Sequence, residues 1–525
     1  MTDQEIIKEL TRQGCMLDSD AAEMLEQEDV ERIKQLDVTP MYVSSQMIDR
    51  LREDNSEQQG QRVEREVETS SGQMLKKVEK SSETQNKVEG SSIKEDYDYG
   101  ETGSKFSKEK TVHIRDDRDR KEMDTKVEIM DDSQISRDEK DVPEFLQYYN
   151  DRYEKMKKLL LRRREMKSAT TINRLERRDE GEEATTVGMV NDKYSTNSGK
   201  WIVEIEDNTG KFKVLVAEDE GEMIVQDEVL GIRGNMGGDI IYADNIIRPD
   251  LPIPQGVNTT KDEVRAAYIS DLHLGSEDTL TERFNRFGDW LSSEAANDIG
   301  YLMITGDIVE GVGTYPGQED ELKVTDIHKQ YQLFEKWVDE KVPDDLQLII
   351  GPGNHDIVRL AEPQPRLPEK ALSGISDYDN VHLVQNPQTV RLHGIRSQGI
   401  KHLMYHGYSF DDHADSIQNL RERAYEEPQH VMIDLLKRRH LAPTYGSNLL
   451  SPEDTDRMVI QHEPDVMVSG HFHSHANESY KGVNVICSST FQAQTDFQKR
   501  VGHEPDPGKV TIMNFKTRNT EVKQL

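Results

Sequence analysis

Cysteine is almost missing from this chain: Cys15 and Cys487 stand alone among 525 residues, with no second thiol near either. That excludes a disulfide framework and a Cys-type zinc site, and it suits a reducing cytoplasm. Aromatic residues are scarce at 6%, hydrophobic residues reach only 34%, and 32% of positions are charged. Such a composition is too polar for a uniformly folded chain of this length and predicts that part of it stays unfolded. No apolar run approaches a membrane span, and the start, MTDQEIIKEL, lacks the basic stretch and apolar core of a secretory leader. The expectation is a soluble, cytoplasmic protein with no membrane partner. Positive charge is short as well: 67 Lys and Arg face 101 Asp and Glu, a formal net charge of −34. Long-range electrostatics therefore do not favour nucleic acid, and any DNA contact must be local, helped by bound cations or a partner chain.

What is present divides into segments. Residues 1–51 carry three apolar stripes at helical spacing, Ile6, Ile7 and Leu10, then Ala21 to Leu25, then Val43 to Leu51, which predict a small helical module. From 52 to 141 Ser, Glu, Lys, Gln and Gly dominate, and the expectation is a disordered tether. After Pro143, Phe145, Tyr149, Tyr153, Met156 and Leu160 recur at helical spacing. They predict a docking helix and linker over 142–183. Its Arg162, Arg163 and Arg164 read as solvated helix-end charges first and as a DNA patch second.

Residues 184–250 show about five short alternating strands, with turns at Gly199, Asn208-Thr209-Gly210 and Gly237-Gly238. This predicts an OB-like barrel. Trp201 and Phe212 could stack on bases, but Glu204, Glu206 and Asp207 spoil a basic funnel, so a protein-binding platform carries roughly twice the weight. From 260 to 525 apolar β-type runs end in polar motifs and alternate with helices such as Glu282–Leu291 and Ile327–Val338. That pattern predicts an open α/β sheet with its site at the strand ends. The fold class is thus multidomain α/β.

The polar residues at those strand ends are Asp271 and His273 (D-L-H), Asp307 (G-D), Asn354, His355 and Asp356 (G-N-H-D), His406 (H-G), and His471 and His473 (G-H-F-H). Singly, each reads most simply as a structural histidine or a turn. Together they place carboxylate, amide or imidazole on five strands at one edge, for which a packed core has no use. Asp, Asn and His without Cys suit Mn²⁺, Fe or Zn²⁺ better than Ca²⁺ or Mg²⁺. Two such ions about 3.5–4 Å apart can activate a water and clamp a phosphate for in-line attack. The glycines beside them, Gly306, Gly353, Gly407 and Gly470, should allow sharp turns and close approach of a phosphodiester.

D-x-H, G-D, G-N-H-D, H-G and G-H-x-H in this order resemble the calcineurin-like metallophosphoesterases. That resemblance implies a metallophosphoesterase (nuclease) domain over 260–525. One divalent metal ion would rest on Asp271, His273, Asp307 and His473, and a second on Asp307, Asn354, His406 and His471, with Mn²⁺ first and Fe or Zn²⁺ next. His355 would be the catalytic acid for the leaving 3′-oxygen and Asp356 its orienting partner.

The stretches GDIVEGVGTYPGQ, GNHDIVRLAEPQP, LLKRRHLAPTYGSN and SSTFQAQTDFQKRVGHEPDPGKV are similar to the small subunits of archaeal family D DNA polymerases. This second resemblance implies a 3′–5′ exonuclease acting on DNA with a 3′ end. Its partner would be a large catalytic polymerase subunit, in a heterodimer or higher assembly. A purely structural subunit is disfavoured by the intact ligand set. A small-molecule phosphatase is disfavoured by the barrel, the tether and the family-like stretches.

Overall fold

The computed structural model describes residues 16–17, 42–43, 123–133, 135, 142–314, 318–395, 398–446 and 448–525. The chain divides into two units, 1–104 and 105–525. In the first, strands β1 (Met16–Leu17) and β2 (Tyr42–Val43) pair in parallel. The expected helical module of 1–51 otherwise lies outside the described residues.

The second unit begins with a departure from expectation. Within the segment read as a tether, Val127–Met130 form strand β3. It pairs antiparallel with β13 (Gln388–Leu392). Met123, Val127 and Ile129 pack on the core behind it, and Lys126 N–H donates to Tyr301 Oη at 2.9 Å. Apolar residues too sparse for a visible pattern suffice for an edge strand, because the neighbouring sheet supplies the other half of every contact.

Helix α1 (Val142–Leu160) follows, as its stripe predicts. Tyr153, Met156, Leu159 and Leu160 are buried against Val187, Val229 and Ile247 of the barrel and against Val459 beyond it. The barrel is closed, in the order β4 (Glu183–Ser195), β5 (Trp201–Asp207), β6 (Gly210–Val216), β8 (Ile240–Ile247), β7 (Val229–Met236). Short helices α2 (Ile172–Leu175) and α3 (Glu218–Glu222) flank it. The third and fifth strands of this barrel run parallel and its other pairs antiparallel, the connectivity of an OB barrel. Neither aromatic proposed for base stacking is presented for it. Phe212 is buried in the barrel core, and Trp201 packs against Gly221 of α3 with Lys193 Nζ 4.7 Å from its ring centre.

The apolar runs beyond residue 264 form two facing six-stranded sheets rather than one open sheet. The first has the order β12 (Val381–Leu383), β11 (Gln347–Gly351), β10 (Ile299–Thr305), β9 (Arg265–Ile269), β18 (Lys509–Asn514), β19 (Thr520–Gln524). The second runs β16 (Ala476–Tyr480), β17 (Val483–Cys487), β15 (Val466–Ser469), β14 (Ile400–Met404), β13, β3. Strands buried on both faces explain the unbroken apolar runs. In β10, Tyr301 and Met303 point to the layer between the sheets, while Leu302 and Ile304 meet the helices outside. Those helices are α4 (Thr281–Leu291) and α5 (Ile327–Lys341) on the first sheet. On the second sheet lie α6 (Phe410–Asp415), α7 (Gln418–Arg421) and α8 (Gln429–Arg438). Helix α9 (Asp496–Val501) sits near the C-terminus. Among the described residues no helix is long and apolar enough to cross a membrane.

Buried ion pairs join the barrel and α1 to the two-sheet domain. Arg152 Nε meets Asp456 Oδ2 at 2.7 Å, with both side chains almost wholly buried. Its remaining N–H groups reach the Pro443 carbonyl and Tyr148 Oη, while His440 Nε2 lies 2.8 Å from the same Asp456 oxygen. Burial alone would raise the Asp456 carboxyl, but His440 and Arg152 hold it well below the usual carboxylate range. A second set links Glu228 of the barrel, through Arg438, to Asp434 and His413.

Two outcomes follow from this packing. Deleting 56–135 removes β3 and bares the edge of β13, so the melting temperature should fall well below that of a deletion that stops at residue 120; equal melting temperatures would show that β3 contributes nothing. Arg152→Met leaves Asp456 buried without its guanidinium, and the cost should be about 3–5 kcal/mol in urea unfolding.

Candidate metal centre

Five strand ends converge. In the first sheet β9 leads to Asp271 and His273, β10 to Asp307, and β11 to Asn354 and His355. In the second, β14 leads to His406, and β15 to His471 and His473. Because these strands run parallel within each sheet, their C-terminal ends lie at one edge of the sandwich. The turns there are tight. Asp271, His273, Asp307, His471 and His473 all have φ between 46° and 71°, a left-handed conformation that costs non-glycine residues energy and clusters at functional sites. Backbone bonds lock the D-L-H and G-D turns together: the N–H groups of Leu272 and His273 both donate to the Asp307 carbonyl, at 2.8 and 3.1 Å.

The glycines meet one half of the expectation, since Gly306 and Gly407 take φ of 91° and 119° in sharp turns, but the close approach they permit is of a different kind. A Cβ on Gly353 would strike the Asp307 carboxylate, and one on Gly470 would strike Asp271 and Ser270. These positions let ligand-bearing turns approach one another, rather than making space for a substrate.

The side chains form overlapping groups whose ligand atoms lie within 4.8 Å of one another: Asp271, His273 and His473; Asp271, Asp307 and His406; and His273, Glu310 and His355. His273 Nε2 is 3.0 Å from His473 Nε2, and His473 Nε2 is 3.4 Å from Asp271 Oδ1. His406 Nε2 is 3.2 Å from Asp307 Oδ2 and 3.0 Å from Asn354 Oδ1. Asp307 thus faces both His273, at 3.8 Å, and His406. His471 is adjacent, its ring centre 5.3 Å from that of His406.

Partners behind the rings fix which nitrogen faces inward. His273 Nδ1 donates to Glu310 Oε2 at 2.9 Å and His406 Nδ1 to the Thr305 carbonyl at 2.8 Å, so both turn an Nε2 lone pair to the site. His471 Nε2 donates to Asp411 Oδ2 at 2.8 Å, which leaves Nδ1 as its lone pair. The Gln498 amide lies 3.0 Å from His473 Nδ1.

Electrostatics follow from burial. Asp271, Asp307 and His406 are almost completely buried. Burial pulls the His406 imidazole down, but Asp307 and Asp271 outweigh it and lift the group to about 10. The field that would hold a proton there is one that a divalent cation satisfies. His355 is likewise lowered by burial and raised on balance by Asp307 and Glu310.

The orienting role expected of Asp356 is overturned. Its carboxylate accepts from Gly353 N–H at 2.9 Å, Ile308 N–H at 3.4 Å and Tyr331 Oη at 2.9 Å, bracing two ligand loops from behind. Burial, with Asp307 adding to it, raises its pKa to about 6. The His355 ring instead donates from Nδ1 to the Glu310 carbonyl at 2.8 Å, and Glu310 Oε1 lies 3.8 Å away. Glu310 is the residue that sequence reasoning missed. Gln318 and Gln492 hold its carboxylate at 3.2 and 2.8 Å. The signal was its place three residues after Asp307, inside a motif already singled out. Asp411, five residues after His406, carried no comparable mark.

Comparison with known proteins fits this geometry. The calcineurin-like phosphoesterase family model matches residues 264–475, which span every candidate ligand. Among curated proteins, the chain is 37% identical to the DNA polymerase II small subunit of Methanocaldococcus jannaschii over 415 residues, 75% of this chain and 68% of that one. It is 37% identical to that of Methanothermobacter thermautotrophicus, covering 74% and 80% of the two chains. With the same subunit from Archaeoglobus fulgidus it shares 38%, covering 71% and 75%. With more than a third of its residues identical across most of both lengths, and a calcineurin-like phosphoesterase domain holding the buried cluster, this chain belongs to the DNA polymerase II small subunit family.

Proposed function

We infer that this chain is the nuclease-bearing small subunit of an archaeal replicative DNA polymerase, removing mismatched nucleotides from 3′ ends and helping to organise a large polymerase subunit. The observation that carries this reading is the convergence of five strand ends on one buried cluster with the complete donor set. A subunit retained only as a scaffold would have no reason to keep strained turns and buried carboxylates there, since each lowers stability.

The donors fit divalent cations. Asp271, His273, Asp307 and His473 would hold one ion, and Asp307, Asn354, His406 and His471 the other, Asp307 being shared. Manganese is the first choice on donor chemistry, with iron or zinc next. Two ions bound in this way would supply an activated water and a clamp on the scissile phosphate. The protein's own residues do the rest. Glu310 and Thr305 orient two imidazoles, Asp411 orients a third, and Asp356 ties the G-D and G-N-H-D loops together. His355 keeps about a fifth of its side chain exposed, with Nδ1 engaged behind it, so Nε2 is the atom available to protonate a departing 3′-oxygen. The proton-holding tendency given by Asp307 and Glu310 suits an acid at neutral pH.

Asp307→Asn removes the shared negative charge, so elemental analysis should find both ions depleted; normal content of two ions would put Asp307 outside the site. His355→Ala should keep the ions and binding to the large subunit. Manganese-dependent release of nucleotides from 3′-mismatched primers should fall by about 10²–10⁴-fold. Loss of metal in this variant would make His355 a ligand, and a wild-type rate would remove it from the reaction.

A further inference from the structure

Between residues 155 and 178 the chain carries ten Lys and Arg against two Glu, inside a protein whose net charge is −34. This stretch comprises the end of α1, the short turn Arg164–Met166, and α2. Met156, Leu159, Leu160, Met166, Ile172 and Leu175 are buried, although Leu161 is exposed, and this fixes the segment on the barrel and turns the intervening cations outward. Lys158, Arg162, Arg164, Lys167, Arg174 and Arg177 are exposed. Among the described residues none of these six has a carboxylate within ion-pair distance, whereas nearby Lys155 and Lys157 pair with Asp151 and Glu154.

Interaction with the helix dipole does not account for this surface. The dipole's influence falls off within the last turn, and the cations continue through Lys167 to Arg178, beyond the end of α1 at Leu160. Beside them lies a hollow of about 490 Å³ between the barrel and α8, where Arg163, Arg233, Arg248 and Lys437 stand with Glu165 and Asp250; its arginines are paired with Glu165, Glu183 and Glu228, so the unpaired charge lies on the shoulder itself. The barrel's own strands expose Lys211 and Lys213 as well, but Glu204 and Glu206 lie against Lys211 at 3.8 and 3.1 Å, and no run of cations on those strands matches the density of this shoulder.

We propose that this shoulder binds the phosphate backbone of duplex DNA. Unpaired guanidinium forks spaced along a rigid, barrel-anchored segment match successive phosphates, which they can engage bidentately. The proposal rests on the DNA-acting reading of the chain only in choosing DNA among polyanions. It requires nothing of the metal centre.

The test uses the full chain in chelator, so that no strand is cut, and anisotropy of a fluorescein-labelled primer–template duplex between about 50 and 200 mM salt. Three substitutions together, Lys158→Glu, Arg162→Glu and Arg164→Glu, should weaken binding about tenfold or more and flatten the salt dependence by about three phosphate contacts. A control triple, Lys336→Glu, Arg421→Glu and Lys516→Glu, changes the net charge equally at exposed sites elsewhere and should bind like wild type. Both triples should hydrolyse bis-p-nitrophenyl phosphate with manganese at the wild-type rate. If the wild type hydrolyses none while the binding difference holds, the nuclease reading fails and this one stands. Equal weakening by both triples would reduce the effect to overall charge. Unchanged DNA binding with lost affinity for the purified large subunit would make the shoulder a protein interface. Either result overturns the proposal.

Discussion

Two carboxylates, Asp271 and Asp307, lie side by side with almost no exposure, and the rest of the centre answers the cost of keeping them there. An unpaired buried charge costs several kcal/mol, and two of the same sign cost more. Backbone donors offset part of it: His471 N–H reaches Asp271, and His355 N–H reaches Asp307 at 2.9 Å. Imidazoles offset another part, and burial of Glu310 behind His273 and His355 would be untenable without them. The left-handed turns follow from the same requirement, since only tight loops bring a carboxylate from β9 against ligands from β10 and β15. A structure that concentrates negative charge so far from water is organised for a cation.

Because that centre is assembled from both sheets, its geometry depends on the layer between them. Ala266, Tyr268, Met303 and Ile349 from one sheet meet Val390, Met404, Val466 and Val468 from the other. Strand β3 closes the far edge of the second sheet. The barrel and α1 are attached through buried, hydrogen-bonded ion pairs rather than a flexible linker, with Arg152 and Asp456 on one side and Glu228 and Arg438 on the other. Charges so enclosed gain little net stability over apolar packing, but each has one arrangement that satisfies it, and this sets the orientation of the attached elements.

Legibility in the sequence tracked the kind of information each feature carries. Local periodicity and turn residues were enough for α1 and for the five-stranded barrel. The ligand loops could be read because their residue types are out of place at the ends of apolar strands. Asp411 could not, because an acidic residue in an acidic chain is unremarkable until a ring nitrogen is found 2.8 Å away, and Glu310, 2.9 Å from its own ring nitrogen, was marked only by its place three residues after Asp307. Asp356 was misassigned because adjacency in sequence suggested adjacency of side chains; the G-N-H-D turn sends successive side chains in different directions, and Asp356 points back to Tyr331. Phe212 misled for a related reason, since an aromatic on a barrel strand faces the core or the solvent according to register, which its type does not reveal. Strand β3 was hidden because an edge strand borrows its pattern from its neighbour.

The same distinction between local and global properties governs the charge. Taken over 525 residues, −34 argues against contact with a polyanion. At physiological ionic strength, however, exposed charges are screened beyond about 8 Å, so a bound strand senses the side chains beside it and little of the remaining surface. Acidic residues elsewhere then act mainly against wrong approaches, discouraging non-specific coating of the chain by nucleic acid. A basic shoulder on such a background gains selectivity from the contrast. The metal centre obeys the same logic on a smaller scale, since its carboxylates repel phosphate until cations are bound. On both scales, a net acidic protein can engage DNA only where positive charge has been placed, and the placement determines which part of the DNA goes where.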